Sequence, residues 1–161
     1  MKELLLFRHA KSSWESLVED QDRGLTEKGI ERTKSMALVS SKIINDFEVF
    51  FSSPANRATH TASILIHELQ ISFELLQIRD SLYTFETYQL LSFIKSIPDH
   101  YSKVICVGHN PAMTQAVNQL STTNLDHLPT AAWALIKFEQ SEWRNIQNGV
   151  TSLGLPKEIL K

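Results

Sequence analysis

Apolar and polar positions along the chain fall into short blocks that predict alternating strands and helices. The runs at 3–8 and 103–107 are mostly apolar, which is typical of strands buried on both faces of a parallel sheet. Weaker runs predict further strands. The six predicted strands lie at 3–8, 48–51, 74–78, 103–107, 131–138 and 143–147. A short turn separates the last two, so we expect that pair to be antiparallel.

Helical periodicity is found between the predicted strands. Thr26 is a suitable N-cap for a helix over 27–44, in which apolar residues recur on one side. The pair Ser53-Pro54 predicts a second helix start, because serine caps free N–H groups and proline suits the first helical position. Further helices are predicted to end before Pro98 and to begin at Pro111.

The alternation of strands and helices predicts an α/β fold, in which helices cover both faces of a mostly parallel sheet. The antiparallel strand would lie near the C-terminus. At 161 residues the chain has the length of one domain, and no linker-like stretch divides it. We therefore expect a single domain over residues 1–161, with few residues left to form a cap over a binding site.

Composition and charge are those of an ordinary globular protein. The formal net charge is −2, and no basic run indicates a nucleic-acid or membrane-surface partner. No segment has the roughly 18 apolar residues of a membrane span, and the N-terminus lacks a signal-peptide pattern. The single cysteine, Cys106, lies in an apolar strand and fits a reducing compartment. We expect a cytoplasmic protein whose oligomeric state is open, a monomer being favoured.

Basic and imidazole side chains follow three of the predicted strands. Arg8 and His9 end the first strand, His109 follows the strand at 103–107, and Arg57 lies in the first turn of the helix after 48–51. The carboxyl ends of parallel strands meet at one edge of a sheet, where ligands bind. Helix N-termini at that edge favour an anion. The sequence therefore predicts a phosphoryl-binding site.

This set of residues predicts a reaction as well as a ligand. A neutral His9 can attack phosphorus and become a phosphohistidine, which water then hydrolyses. Arg8 and Arg57 can each hold two phosphoryl oxygens, and His109 can donate a further hydrogen bond. The arginines already neutralise the phosphate, so neither a metal ion nor a cofactor is expected. Inorganic phosphate would be the product.

An ordered set of short motifs resembles the histidine phosphatase superfamily, in particular its small SixA-like phosphohistidine phosphatase branch. The matching stretches are 6–14, 22–29, 52–58, 82–83, 107–111 and 128–131, with a similar tail at 155–158. The resemblance implies a three-layer α/β/α sandwich, a minimal phosphoglycerate mutase-like fold without a cap domain. It also implies that His9 is the phosphoryl-carrying nucleophile, and that Arg8, Arg57 and His109 complete the pocket.

The sequence departs from the family's pattern at three places. Ala10 stands where many members have glycine, and Gly24 stands where proline is usual in this branch. Larger relatives have a proton-donating carboxylate after the third strand, and no convincing match to that motif occurs here. Asp80 and Glu86 are the candidates for this proton donor, although Glu86 also suits the first turn of a helix.

The missing acid favours an N-phosphorylated substrate. An alkoxide leaving group needs a proton donor, whereas the departing imidazole of phosphohistidine has a conjugate acid with a pKa of about 6.5. An uncapped pocket suits a phosphorylated protein, such as a phosphotransfer-type domain. Four further residues are candidates for the rim or for substrate contacts. They are Lys11, Trp14, Asn110 and Thr130.

Two other functions remain open at this point. One is a phosphatase or mutase acting on a small phosphorylated metabolite, which a carboxylic acid at Asp80 or Glu86 would favour. The other is a non-catalytic phosphoprotein-binding module that retains the pocket. The presence of both His9 and His109 argues against that module, because binding requires the arginines but not a nucleophile.

Overall fold

A computed structural model describes residues 1–15 and 17–161 and contains one six-stranded sheet. The strands are β1 (Lys2–Arg8), β2 (Val49–Ser52), β3 (Leu76–Ile78), β4 (Lys103–Gly108), β5 (Trp133–Phe138) and β6 (Val150–Gly154). Their order across the sheet is β3-β2-β4-β1-β5-β6. Strand β5 pairs antiparallel with both of its neighbours, and every other pairing is parallel. The predicted sheet, mostly parallel with an antiparallel strand near the C-terminus, is confirmed.

Helices cover both faces of this sheet. They are α1 (Glu27–Val39), α2 (Ser41–Ile44), α3 (Asn56–Glu68), α4 (Thr87–Lys95), α5 (Ala112–Leu120) and α6 (Pro156–Ile159). In β1, Leu4 and Leu6 pack with α4 and α5, whereas Leu5 and Phe7 pack with α1, α2 and α3. The alternation of side chains along a strand thus produces two cores, and the predicted three-layer α/β/α sandwich is confirmed. None of the helices in residues 1–15 and 17–161 is long and apolar enough to cross a membrane.

The helix predicted over 27–44 is interrupted at Ser40. There the backbone leaves the helical conformation, with φ −102° and ψ 10°, and separates α1 from α2. The hydroxyl of Ser40 is buried and accepts a hydrogen bond of 2.8 Å from the indole nitrogen of Trp133. This contact comes from a distant strand, so the helical periodicity could not reveal the break.

The predicted helix start at Ser53-Pro54 is wrong by two residues. The backbone N–H of Ser53 still donates to the carbonyl of Val107, at 3.0 Å, and thereby extends the sheet. The helix begins only at Asn56, with Ala55 as its N-cap. The Ser53 hydroxyl nevertheless accepts the N–H of Ala55, at 3.2 Å, so it orders the turn that precedes the helix.

The strand predicted near 143–147 is wrong. Residues Trp143–Asn145 form a 3-10 turn, and the edge strand is β6, further along the chain. The indole of Trp143 is fully buried, and its N–H donates to the carbonyl of Tyr101 at 2.8 Å. The apolar residues of this segment therefore anchor a turn beneath the sheet. The predicted antiparallel pairing of the last two strands is retained with β6 as the partner.

Candidate active site

A cavity of about 450 Å³ opens at the carboxyl edge of the central strands. Eight of the residues singled out in the sequence line it: Arg8, His9, Lys11, Trp14, Arg57, His109, Asn110 and Thr130. Ser12, Asp20, Arg23 and Phe85 also line it. The predicted residues are thus brought together in space, and their chemical roles remain predictions.

Strand pairing places the two histidines side by side. Arg8 on β1 lies opposite Gly108 on β4, and the N–H of His9 donates to the carbonyl of Gly108 at 3.1 Å. Each histidine directly follows its strand, so their rings meet with centroids 5.2 Å apart. Both are buried, with His9 only 7% exposed. Thr61 on α3 fixes the chain after His9 by accepting the N–H of Ala10 at 3.0 Å.

The tautomer of His9 leaves one ring nitrogen free. Nδ1 lies 2.7 Å from the carbonyl oxygen of Ala10, which can only accept, so Nδ1 carries the proton. In the neutral ring Nε2 therefore has an unshared electron pair. Burial, followed by the positive charges of Arg57, Arg8 and Arg23, lowers the pKa of His9 to about 4, although the bond to Ala10 opposes this shift. His9 is therefore neutral and nucleophilic at neutral pH.

His109 is held by Ser53 from the end of β2. Its Nε2 lies 2.8 Å from the Ser53 hydroxyl. Burial, then the charges of His9 and Arg57, lowers the pKa of His109 to about 3, so this ring is also neutral. Nδ1 of His109 has no partner among the described residues. In the tautomer that accepts the Ser53 hydroxyl proton at Nε2, the ring proton lies on Nδ1. His109 can then donate a hydrogen bond to an oxyanion.

The two arginines have unused hydrogen-bonding capacity directed at this site. Nη1 of Arg8 donates to the carbonyl of Leu128 at 3.0 Å and lies 3.2 Å from Nε2 of His127. Within residues 1–15 and 17–161, four buried side-chain nitrogen or oxygen atoms lack a partner, and three are Nε of Arg8, Nε of Arg57 and Nδ1 of His109. Buried polar groups are normally satisfied. Three unpaired donors around one cavity suit an anion with several oxygens.

Asp20 is the site residue that the sequence did not reveal. Its Oδ2 accepts from Nη2 of Arg57 at 3.0 Å and from the Tyr83 hydroxyl at 2.5 Å, and its backbone carbonyl accepts from Nη1 of Arg57 at 2.7 Å. Burial alone would raise the pKa of Asp20. The hydrogen bonds from Tyr83 and Arg57 and the charges of Arg57 and Arg23 outweigh burial and lower this pKa to about 2. Asp20 is therefore ionised at neutral pH, and it accepts hydrogen bonds from the guanidinium of Arg57.

Arg23 orders the segment that carries Asp20. Its Nη1 donates to the Ser12 hydroxyl at 2.9 Å and its Nε to Asp20 at 3.3 Å. Its guanidinium also stacks on the ring of Trp14, at 3.5 Å from the centroid. Trp14 is 78% exposed and forms part of the rim. Both Arg23 and Asp20 lie in a polar stretch without periodicity. Arg23 falls in the motif at 22–29, whereas only the charge balance around Arg57 could have indicated Asp20.

The proposed proton donors Asp80 and Glu86 lie outside this cavity. Asp80 begins a 3-10 turn and borders a separate depression with Tyr88 and Gln89. Glu86 is exposed at the N-cap of α4. Among the described residues, Asp20 is thus the only carboxylate that lines the cavity. No three His, Cys, Asp or Glu side chains of the described part of the chain form a metal-binding group.

Asn110 and Thr130 occupy different positions at the edge of the site. The Asn110 amide donates to the carbonyl of Leu128 at 2.9 Å and accepts from the N–H and hydroxyl of Thr114. It therefore holds the loop before β5. The Thr130 side chain has no hydrogen-bond partner among the described residues, and Ala131 follows it with φ 61°, so the chain turns sharply beside the cavity.

Comparison with known proteins relates the chain to phosphatases. The family model of the histidine phosphatase superfamily (branch 1) matches residues 4–80, which contain Arg8, His9 and Arg57. The structure is similar to that of a candidate phosphohistidine phosphatase SixA from Agrobacterium tumefaciens, with 25% identity, a TM-score of 0.74 and coverage of 85% of this chain and 92% of that one. Over residues 4–80, the chain is thus similar to the histidine phosphatase superfamily (branch 1). Both comparisons indicate that the protein is a phosphatase.

Two further solved structures share the fold at lower identity, and one curated protein is similar in sequence. The protein histidine phosphatase SixA in complex with tungstate has 19% identity, a TM-score of 0.82 and coverage of 99% of both chains. A mycobacterial glucosyl-3-phosphoglycerate phosphatase has 14% identity and a TM-score of 0.69 over 96% of this chain and 98% of that one. An uncharacterized chloroplastic protein of Arabidopsis thaliana is 29% identical over an alignment of 154 residues that covers 88% of this chain and 69% of the relative.

Proposed function

We propose that the protein removes phosphate from a phosphohistidine-bearing protein through a covalent phosphohistidine intermediate on His9. The observation that carries this proposal is the state of Asp20. Among the described residues it is the only carboxylate on the cavity, and its pKa is lowered to about 2 by its bonds to Tyr83 and Arg57. A carboxyl group of this kind does not donate a proton at neutral pH. The site therefore suits a leaving group that needs little acid assistance.

The first step is an in-line attack by Nε2 of His9 on phosphorus. The bond from Nε2 to phosphorus forms while the bond from phosphorus to the substrate imidazole breaks. With its other ring nitrogen protonated from solvent, the substrate imidazole takes the electron pair of that bond and leaves as a neutral imidazole. The conjugate acid of this imidazole has a pKa of about 6.5, so the leaving group needs no further proton donor. Arg8, Arg57 and His109 hold the equatorial oxygens, where negative charge is stabilised in the transition state.

The second step is hydrolysis of phospho-His9. A water molecule attacks phosphorus, the bond to Nε2 breaks, and inorganic phosphate is released. Nε2 of His9 recovers its electron pair. Nδ1 keeps its proton and continues to donate it to the carbonyl of Ala10, at 2.7 Å, so the ring does not change tautomer during the cycle. The same pocket of arginines serves both steps.

The rim of the cavity supports a protein substrate. Trp14 and Phe85 line the opening and are 78% and 46% exposed, and Leu17 and Val18 on the same segment as Trp14 are exposed as well. Exposed apolar side chains around a polar site are typical of protein–protein contacts. One SixA neighbour is described as a candidate phosphohistidine phosphatase. The other is described as a protein histidine phosphatase in complex with tungstate, an oxyanion similar to phosphate.

The test is phosphate release from a histidine-phosphorylated protein and from a panel of phosphate monoesters, in the presence of a chelator. We expect faster release from phosphohistidine and complete loss of activity in His9→Ala. His9 contributes little to the core, so the variant should keep the melting temperature of the parent. Turnover by a folded His9→Ala protein would contradict the covalent mechanism.

A preference for monoesters would instead support a metabolite phosphatase. One neighbour is described as a glucosyl-3-phosphoglycerate phosphatase, so this outcome has a precedent within the fold. In that case Asp80→Asn and Glu86→Gln are the next variants, because a proton donor would have to come from outside the cavity lining seen here.

A further inference from the structure

A second cavity of about 610 Å³ adjoins the active-site cavity. Arg8, Lys11 and Thr130 line both cavities. The second cavity extends towards α1 and α6, where Arg32 and Lys157 line it. We call the cationic surface formed by Lys11, Lys28, Arg32 and Lys157 the basic annex. Lys28 joins it through a neighbouring cavity of about 560 Å³ that Lys11 and Arg32 also line.

The charges of the basic annex are not neutralised within the protein. Among the residues that the structure describes, its four cations form no ion pair. The acidic residues on these two cavities are Glu31 and Glu158, and Glu31 pairs with Lys34 at 3.6 Å. The whole chain has a formal net charge of −2, so this concentration of positive charge is local.

The position of the basic annex relates it to the substrate. A substrate that places its phosphoryl group between Arg8 and Arg57 must extend out of the cavity, and the Arg8 side of that cavity continues into the annex. The cations of the annex are exposed and carried on long flexible side chains. Such side chains suit the recognition of carboxylates on an approaching surface, where complementary charge speeds encounter and fixes orientation.

We propose that the basic annex binds acidic side chains that flank the phosphohistidine of the partner protein. This inference rests on the proposed function and adds the charge of the partner to it. The apolar residues Pro129, Leu155 and Pro156 line the same cavity, so the methylene groups of a bound glutamate would also be accommodated. Since Arg32 and Lys157 do not line the active-site cavity, they should affect kcat/KM through binding and leave the chemical step unchanged.

The test compares two synthetic phosphohistidine peptides that differ only in flanking glutamates or glutamines. For the wild-type protein at low salt we expect kcat/KM to be about three- to tenfold higher with the glutamate peptide. The double variant Arg32→Gln/Lys157→Gln should lose this preference, and about 0.5 M salt should remove it from the wild type because exposed charges are screened. Hydrolysis of phosphoimidazole, which lacks flanking charge, should be the same in all proteins.

The matched control is Lys95→Gln/Arg144→Gln. It removes one lysine and one arginine from a surface on the opposite face of the sheet, beside α4. This control should keep the preference for the glutamate peptide. Equal kcat/KM for the two peptides with the wild type, or an equal loss in the control, would overturn the proposal.

Two further measurements separate this inference from the proposed function. If phosphoimidazole and both peptides are not hydrolysed, the proposed function fails, and the annex is then tested with the unphosphorylated glutamate peptide. NMR should show shifts at Arg32 and Lys157 with that peptide and none with the glutamine peptide; no shifts would overturn the inference. A preference for 4-carboxyphenyl phosphate over phenyl phosphate, without any peptide preference, would also overturn it in favour of a small anionic substrate.

Discussion

Neutralising Asp20 should make the protein less stable and should also make it bind phosphate more tightly. In the structure Nη2 of Arg57 donates to the carboxylate of Asp20 at 3.0 Å, and Nη1 donates to the backbone carbonyl of Asp20 at 2.7 Å. These are the nitrogens with which a guanidinium normally holds two oxygens of a phosphate. Asp20 therefore competes with the phosphoryl group for Arg57. The substitution Asp20→Asn removes the charge but keeps the size of the side chain and one acceptor oxygen.

The cost in stability follows from the lowered pKa of Asp20. At 1.36 kcal/mol per pKa unit, the fall from 3.8 to about 2 corresponds to roughly 2.4 kcal/mol. The Asp20 side chain is 42% exposed, so solvent screening reduces this and we expect about 1 kcal/mol. Because the folded-state pKa is depressed, the contribution is complete above about pH 4 and is lost as the pH falls towards 2. Urea unfolding at pH 7 measures the difference.

The gain in phosphate affinity should be of similar size. About 1 kcal/mol corresponds to roughly a fivefold lower inhibition constant for inorganic phosphate. We expect KM to fall with it, while kcat falls because phosphate leaves more slowly. The control is Asp22→Asn. It removes the same charge two residues further along the chain, and the side chain of Asp22 does not contact Arg57. An inhibition constant that is unchanged or higher in Asp20→Asn would refute the competition between Asp20 and phosphate.

Two further predictions concern the cationic and imidazole groups of the site. Arg57→Ala should lower kcat by about 10²- to 10³-fold, comparable to the loss of one oxyanion-stabilising donor. Steady-state kinetics on the folded variant measure this effect, and an unchanged kcat would exclude Arg57 from stabilising the transition state. The pKa values of His9 and His109 are lowered to about 4 and about 3. The unfolded chain therefore binds more protons below pH 6.5, so unfolding free energy should decrease as the pH falls from 6.5 towards 4. His109→Gln should flatten this dependence in denaturant titrations.

The centre of the site could be predicted because it depends on strand order alone. The two most apolar runs became the adjacent central strands β1 and β4, and the residues that follow them, His9 and His109, meet at the same edge. Arg57 follows from the same rule, since its helix comes directly after β2. Local pattern and sheet geometry agree here, so the sequence indicates both residue identity and position.

The surroundings of the site could not be predicted because they depend on contacts between distant segments. Asp20 and Arg23 lie in a polar stretch whose conformation is set by Arg57, Ser12 and Trp14 rather than by periodicity. The misplaced edge strand has a similar origin. Trp143 is an apolar residue in an apparent strand, but its burial and its bond to Tyr101 make it the anchor of a turn.

The charge distribution of the site accounts for both substrate binding and nucleophilicity. Arg8, Arg57 and Arg23 supply the positive charge that an anionic phosphoryl group requires, and that same charge adds to burial in lowering the pKa of His9. An imidazole that were protonated at neutral pH could not attack phosphorus. Asp20 offsets part of this charge at Arg57, and we expect this contact to keep phosphate from binding too tightly as a product. A pocket with fewer arginines would bind phosphate less tightly and would lower the pKa of His9 less, so the two properties are linked in one arrangement.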